Sequence, residues 1–134
     1  MLTLEQANKA VAAIVSQAKK LKVPVSVAIV DDVGNLVAFN RMDGALAIST
    51  KFARSKALTA ASLGMPTDDL AQYALEGKPY FGLNVAFGGE LMCIAGGLPI
   101  MSGGKLAGGV GVGGSADVSQ DKLLAGEGVK AISQ

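Results

Sequence analysis

The chain has no histidine and no tryptophan, a single cysteine, and only four phenylalanines and two tyrosines. Without histidine there is no Ser-His-Asp triad, no imidazole general base and no imidazole metal ligand, which removes many hydrolase and metalloenzyme mechanisms. No metal-ligand set is expected. Cys93 has no partner within the chain, so no disulfide frames the fold, and a reducing, cytoplasmic compartment is expected. Strong charge of one sign is missing too. Twelve basic residues face eleven acidic ones, and the longest basic run is Lys19-Lys20. Nucleic acid and membrane surfaces are therefore not expected partners. The start, "MLTLEQANKAV", lacks the basic, apolar and small-residue order of a secretory signal and reads as mature protein. Lys105 is the sole charge between Leu91 and Ala116, but glycines, Pro99 and "SGGK" break that stretch, so no membrane span is expected there.

Half of the 134 residues are hydrophobic, enough for one domain over residues 1–134 with a real core. Thr3 and Gln6 form a capping-box pattern, and the apolar spacing of Ala7, Val11, Ile14, Val15, Ala18 and Leu21 predicts an amphipathic helix. "VSVAIV" and "LVAFNRM", separated by "DDVGN", predict a hairpin whose first strand is covered on both faces. "ALAISTKFARSKALTAASL" predicts a second helix ending at Gly64, and "TDDLAQYAL" a short third helix capped by Thr67. "LMCIAGGLPIM" and "KLAGGVGVGG" predict a second hairpin around "SGGK", followed by a last helix capped at Ser115. The order αββααββα argues for an α+β domain with a mainly antiparallel sheet and helices against it.

Gly109-x-Gly111-x-x-Gly114 matches the spacing of a dinucleotide phosphate loop. That loop needs a following strand with an acidic residue for the ribose, and only twenty residues remain, used by one helix. The preferred reading is a strand whose bare backbone a helix or ligand approaches. Each glycine there costs roughly 0.5 to 1 kcal/mol against alanine, so such density implies a need for that approach. Amides at the strand end and helix start also suit a carboxylate.

Adjacent Asp31 and Asp32 offer paired carboxylates, but strand alternation sends them to opposite faces, and aspartate at a hairpin commonly bonds its own turn. Arg41 and Asp43 flank Met42 on one face, either as an ion pair or with Arg41 as a fork for an acidic ligand. Lys51 and Arg54 read as a solvated surface, and Lys56, within "SKALTAA", is the preferred functional lysine. Cys93 reads as a small core hydrophobe. Tyr80 and Phe81 read as a lid or a subunit contact. Together, Arg41, Asp43, Lys56, Gly96, Gly97, Gly113 and Gly114 are expected to form an anion pocket, with Asp31 as a further ligand-site candidate.

"AIVDDVGNLVAFNRMDGA", Lys56-Ala57, "GGLPI" and "GGVGVGGSADVSQD" resemble, in order and over nearly the whole chain, the GlcG-like proteins, also called the HbpS-like or haem-degrading family. The resemblance implies a profilin-like fold and a homo-oligomer, often of even order. It also implies kinship with haem-binding proteins, with the carboxyl-terminal domain of PduO-type cobalamin adenosyltransferases, and with proteins encoded beside glycolate, diol or aromatic catabolic genes. Haem or a corrinoid is the implied cofactor, weakened here because relatives rely partly on histidine for haem. Three functions follow as expectations: a small-molecule-binding accessory protein of a catabolic pathway; an acid-base isomerase or lyase for a small organic acid or diol-pathway metabolite, using Asp31, Arg41, Asp43 and Lys56; or a structural assembly subunit.

Overall fold

A computed structural model describes residues 1–133. Helix α1 spans Leu4–Leu21, strands β1 and β2 span Ser26–Asp31 and Leu36–Arg41, and helix α2 spans Ser49–Leu63. Two 3-10 segments, Thr67–Tyr73 and Phe87–Gly89, lead to strands β3, Gly97–Ser102, and β4, Lys105–Gly113, and to helix α3, Val118–Ile132. The sheet is antiparallel throughout, in the order β2-β1-β4-β3. The expected α+β order therefore holds, with the third helix realised as a 3-10 segment. No helix among the described residues is long and apolar enough to cross a membrane.

Local chemistry sets several boundaries. The Gln6 amide donates to Thr3 Oγ1 at 3.1 Å while the Thr3 amide donates to Gln6 Oε1 at 3.0 Å, the reciprocal capping box that starts α1. Gly103 and Gly104, with φ of 57° and 78°, close the β3–β4 hairpin in the two-residue turn that needs left-handed backbone at both positions.

Several boundaries differ from expectation, and α2 starts at Ser49 rather than at Ala45. Thr67 caps nothing, because its hydroxyl donates to the Ile94 carbonyl at 2.5 Å and accepts the Gly97 amide at 3.0 Å, holding the chain that enters β3. That tie leaves Leu91–Gly96 outside the strand, which begins at Gly97. Helix α3 is capped by Asp117, whose carboxylate accepts the Ser119 amide at 3.0 Å; Ser115 lies before the helix, its hydroxyl donating to Gln120.

The two sheet faces are packed differently. Val27 and Ile29 of β1 and Val110 and Val112 of β4 point toward α1 and α3, where Ala10, Ile14 and Leu124 complete the main core. On the other face β4 presents Gly109, Gly111 and Gly113, and α2 lays its own alanines, Ala53, Ala57 and Ala61, against the sheet. A Cβ on Gly111 would overlap the Ala53 carbonyl and lie 2.5 Å from the Ala57 amide nitrogen. The glycine spacing is thus a strand stripe that lets a helix backbone press onto a sheet backbone. As a result α2 packs mainly on β4, less on β1 and least on β2. The β2 side of that face stays partly uncovered.

Candidate functional site

The eight expected site residues fall into separate places. Asp31 closes the first hairpin: its carboxylate accepts the amides of Val33 at 3.0 Å and Asn35 at 2.8 Å. Slight desolvation pushes its pKa up, and these amide bonds outweigh it, leaving the carboxyl below the usual aspartate value. Arg41 and Asp43 line a shallow groove with Val15, Lys19, Asn40 and Met42, and neither Lys56 nor any of the four glycines lines it. Among the described residues the expected Arg41–Asp43 salt bridge does not form. The strand ends at Arg41, so the alternation that would align the two side chains stops short of Asp43.

Lys56, Gly96 and Gly97 do come together, but as interior packing. Lys56 is 1% exposed; its ammonium donates to Asp121 Oδ2 at 3.1 Å and to the Val112 carbonyl at 3.0 Å, and lies 5.5 Å from the centre of the Phe52 ring. A Cβ on Gly96 would sit 2.8 Å from that nitrogen, and one on Gly97 would meet the Lys56 carbonyl. Burial lowers the Lys56 pKa and raises that of Asp121, and in each case the partner's charge opposes the shift. The other oxygen of Asp121 accepts the Ser115 amide at 3.1 Å. The carboxylate that meets the lysine and the amide beyond the glycines is therefore the chain's own. Gly113 and Gly114 lie under Ser49 and Phe52 at the start of α2 and beside Pro24 and Val25.

A cleft that the sequence reading missed opens on the α2 side of the sheet, where the glycine stripe leaves β2 uncovered. It encloses about 290 Å³ between the first hairpin, α2 and residues 89–92. Val30, Leu36, Leu58 and Met92 form apolar walls, and Lys51, Arg54 and Glu90 supply charge. Two hydrogen bonds pin the outer wall to α2: Ser55 Oγ donates to the Glu90 carbonyl at 2.5 Å, and the Met92 amide donates to Thr59 Oγ1 at 3.1 Å. Gly34 completes the inner wall, since a Cβ there would stand 2.7 Å from Leu58 Cδ1, on backbone at φ 88° that disfavours side chains. Lys51 and Arg54 are exposed and, among the described residues, form no salt bridge. Their i, i+3 spacing in a helix was the available signal. The opposing wall comes from residues 30–36 and 89–92, which nothing local connects to them.

Cys93 stands next to this wall but outside the lining; it is half-buried, and burial pushes its thiol pKa up.

The model of the family described as "Haem degrading protein HbpS-like" matches residues 2–130. An uncharacterised 15.0 kDa protein from the dhaT-dhaS intergenic region of Citrobacter freundii is 36% identical over 124 residues, 92% of this chain and 87% of that one. The corrinoid adenosyltransferase PduO of the same organism is 32% identical over 98% of this chain, which spans only 39% of PduO's length. The solved structure of a PduOC–haem complex superposes with a TM-score of 0.94 at 32% identity, covering 98% of this chain and 95% of that one. A match over nearly the whole length, in sequence and in fold, makes this chain a member of the HbpS-like family.

Proposed function

We propose that the chain is a small-molecule-binding accessory protein of a catabolic pathway, and that its ligand occupies the cleft between the first hairpin, α2 and residues 89–92. One observation carries this reading: the cleft is walled by three segments and pinned to α2 by two hydrogen bonds, a formed cavity with both apolar walls and charged groups. The groups that an acid-base enzyme would need are scattered or sealed, with Asp31 bound to its turn and Lys56 to Asp121. A relative from the dhaT-dhaS intergenic region and another named PduO support the pathway setting.

The lining is a poor match for an axially ligated haem. The chain has no imidazole, Met92 is the sole sulfur in the lining, and about 290 Å³ lies at the small end of ligand pockets.

The working form in this reading is a cytoplasmic homo-oligomer of even order. Tyr73, Tyr80, Phe81 and Phe87, four of the six aromatic residues, are 42–72% exposed, and none of the largest fully buried side chains is aromatic. Aromatic residues left outside the core are the ones that interfaces recruit. Light scattering at micromolar concentration should give a multiple of the chain mass, and a stable monomer would remove this part of the proposal.

Isothermal titration against a panel of compact organic acids and alcohols tests the function itself. Saturable binding is expected, abolished by Leu36→Trp, which fills the cleft, with every ligand recovered unchanged. Sustained consumption of a ligand would favour the enzyme reading instead.

A further inference from the structure

Lys51 and Arg54 lie on α2 one turn apart, both exposed, at the mouth of a cleft whose floor is hydrocarbon. Exposed lysines and arginines commonly lay their stems on apolar surface and keep the charge in water; what marks this pair is that both charges line one cavity whose one acidic residue, Glu90, forms no salt bridge with either among the described residues. Ser55, the remaining polar side chain in the lining, already donates to the Glu90 carbonyl. Two positive charges and one negative charge leave the lining with a net charge of one.

We infer that Lys51 and Arg54 clamp the carboxylate of a compact monocarboxylic acid whose hydrocarbon body fills the cleft against Val30, Leu36, Leu58 and Met92. This deepens, and rests on, the reading of the cleft as the ligand site. The guanidinium offers a planar fork that matches a carboxylate, and the ammonium adds a point charge beside it. The apolar walls reject a ligand that is polar at both ends, because its second polar group would be desolvated without a partner. A second carboxylate also meets Glu90, a like charge within the same lining. Inorganic phosphate brings charge with no body for the walls to hold. The selected class is therefore a short branched or aromatic monocarboxylate.

The probes are isovalerate and benzoate, their neutral amides, succinate and inorganic phosphate, titrated against the full-length protein by calorimetry. The acids should bind at least tenfold more tightly than their amides, and more tightly than succinate or phosphate. Arg54→Ala should weaken acid binding by about 10- to 100-fold, the span of a charge-assisted hydrogen bond, while leaving amide binding within about twofold. Lys51→Ala should have a smaller effect in the same direction, and Arg41→Ala none. Both clamp residues are exposed, so the variants are expected to keep the wild-type melting profile. Equal binding of acid and amide, or acid binding indifferent to both Arg54→Ala and Lys51→Ala, overturns the clamp while leaving the cleft as a ligand site. Preference for phosphate or succinate over the monocarboxylates overturns the ligand class. If neither acid nor amide binds, the clamp and its ligand class fall, and the proposed function falls with them only if the wider panel of organic acids and alcohols also fails to bind.

Discussion

Helix α2 carries Lys56 on one face and Lys51 with Arg54 on another, and the two faces put positive charge to opposite uses. Lys56 is sealed between α2, β4 and α3, its ammonium satisfied by Asp121 and the Val112 carbonyl. Lys51 and Arg54 stand within five residues of it in sequence, exposed at an apolar cleft. The difference comes from β4. Its glycines draw α2 down until Lys56 must find a partner inside, and the same approach tilts coverage toward β4 and leaves the β2 side open. One packing decision thus produces both a buried ion pair and an exposed cationic mouth. Buried and exposed charge differ here by what the surrounding backbone allows, since the residue types are the same.

The largest effect should come from breaking the sealed side. Lys56→Met leaves Asp121 charged and buried without its partner, and denaturant unfolding should show a loss of about 3–5 kcal/mol. Adding Asp121→Leu should recover part of it, because an apolar pair of similar volume removes the orphaned charge, while the Ser115 amide still loses its acceptor. If the double variant is no better than Lys56→Met alone, the pair is not the reason for the cost.

Next in size is Gly111→Ala, which forces the Ala53 carbonyl and the Ala57 amide away from the strand. It should cost about 1–3 kcal/mol in the same unfolding measurement and should also change ligand affinity, since α2 forms one wall of the cleft. Arg54→Ala, by contrast, should move stability by no more than about 0.5 kcal/mol. A stability cost for Arg54→Ala as large as that for Gly111→Ala would erase the distinction between the two faces.

The smallest effect is expected in acid. Asp31 is held below its ordinary value by the Asn35 and Val33 amides, which outweigh slight desolvation; Asp117 is held low by its hydrogen bonds with Ser119. A depressed carboxylate contributes stability that is present above the ordinary aspartate pKa of 3.8 and is lost as pH falls through the folded value. Amide exchange followed downward in pH should show the first hairpin turn and the start of α3 loosening on protonation. Unchanged protection of the Asn35 and Ser119 amides after both carboxylates have titrated would contradict the assignment.

Features set by neighbours in sequence were legible in advance. Thr3 with Gln6, Gly64 after α2, and the Gly103-Gly104 turn each act within a few residues, so residue type and spacing suffice. Thr67 and Ser115 have the residue type of a cap, but each hydroxyl is engaged elsewhere, Thr67 by Ile94 and Gly97 on the way into β3 and Ser115 by Gln120. The role of Lys56 depends on Asp121, 65 residues away, and no local pattern announces that partner. The glycine stripe was correctly read as a place of close backbone approach, yet its further consequence, an uncovered strip of sheet beside β2, emerges only once α2 is placed. Lys51 and Arg54 looked like ordinary solvated charge because the walls opposite them arrive from two distant segments.

Chemical-shift mapping of the amides during an isovalerate titration compares the cleft with the groove of Lys19, Arg41 and Asp43 directly. The proposed site predicts saturable shifts that cluster at Gly34, Leu36, Lys51, Arg54, Leu58 and Met92, with Lys19, Arg41 and Asp43 unmoved. Shifts centred on the groove of Lys19, Arg41 and Asp43, with the residues of the cleft silent, would contradict it.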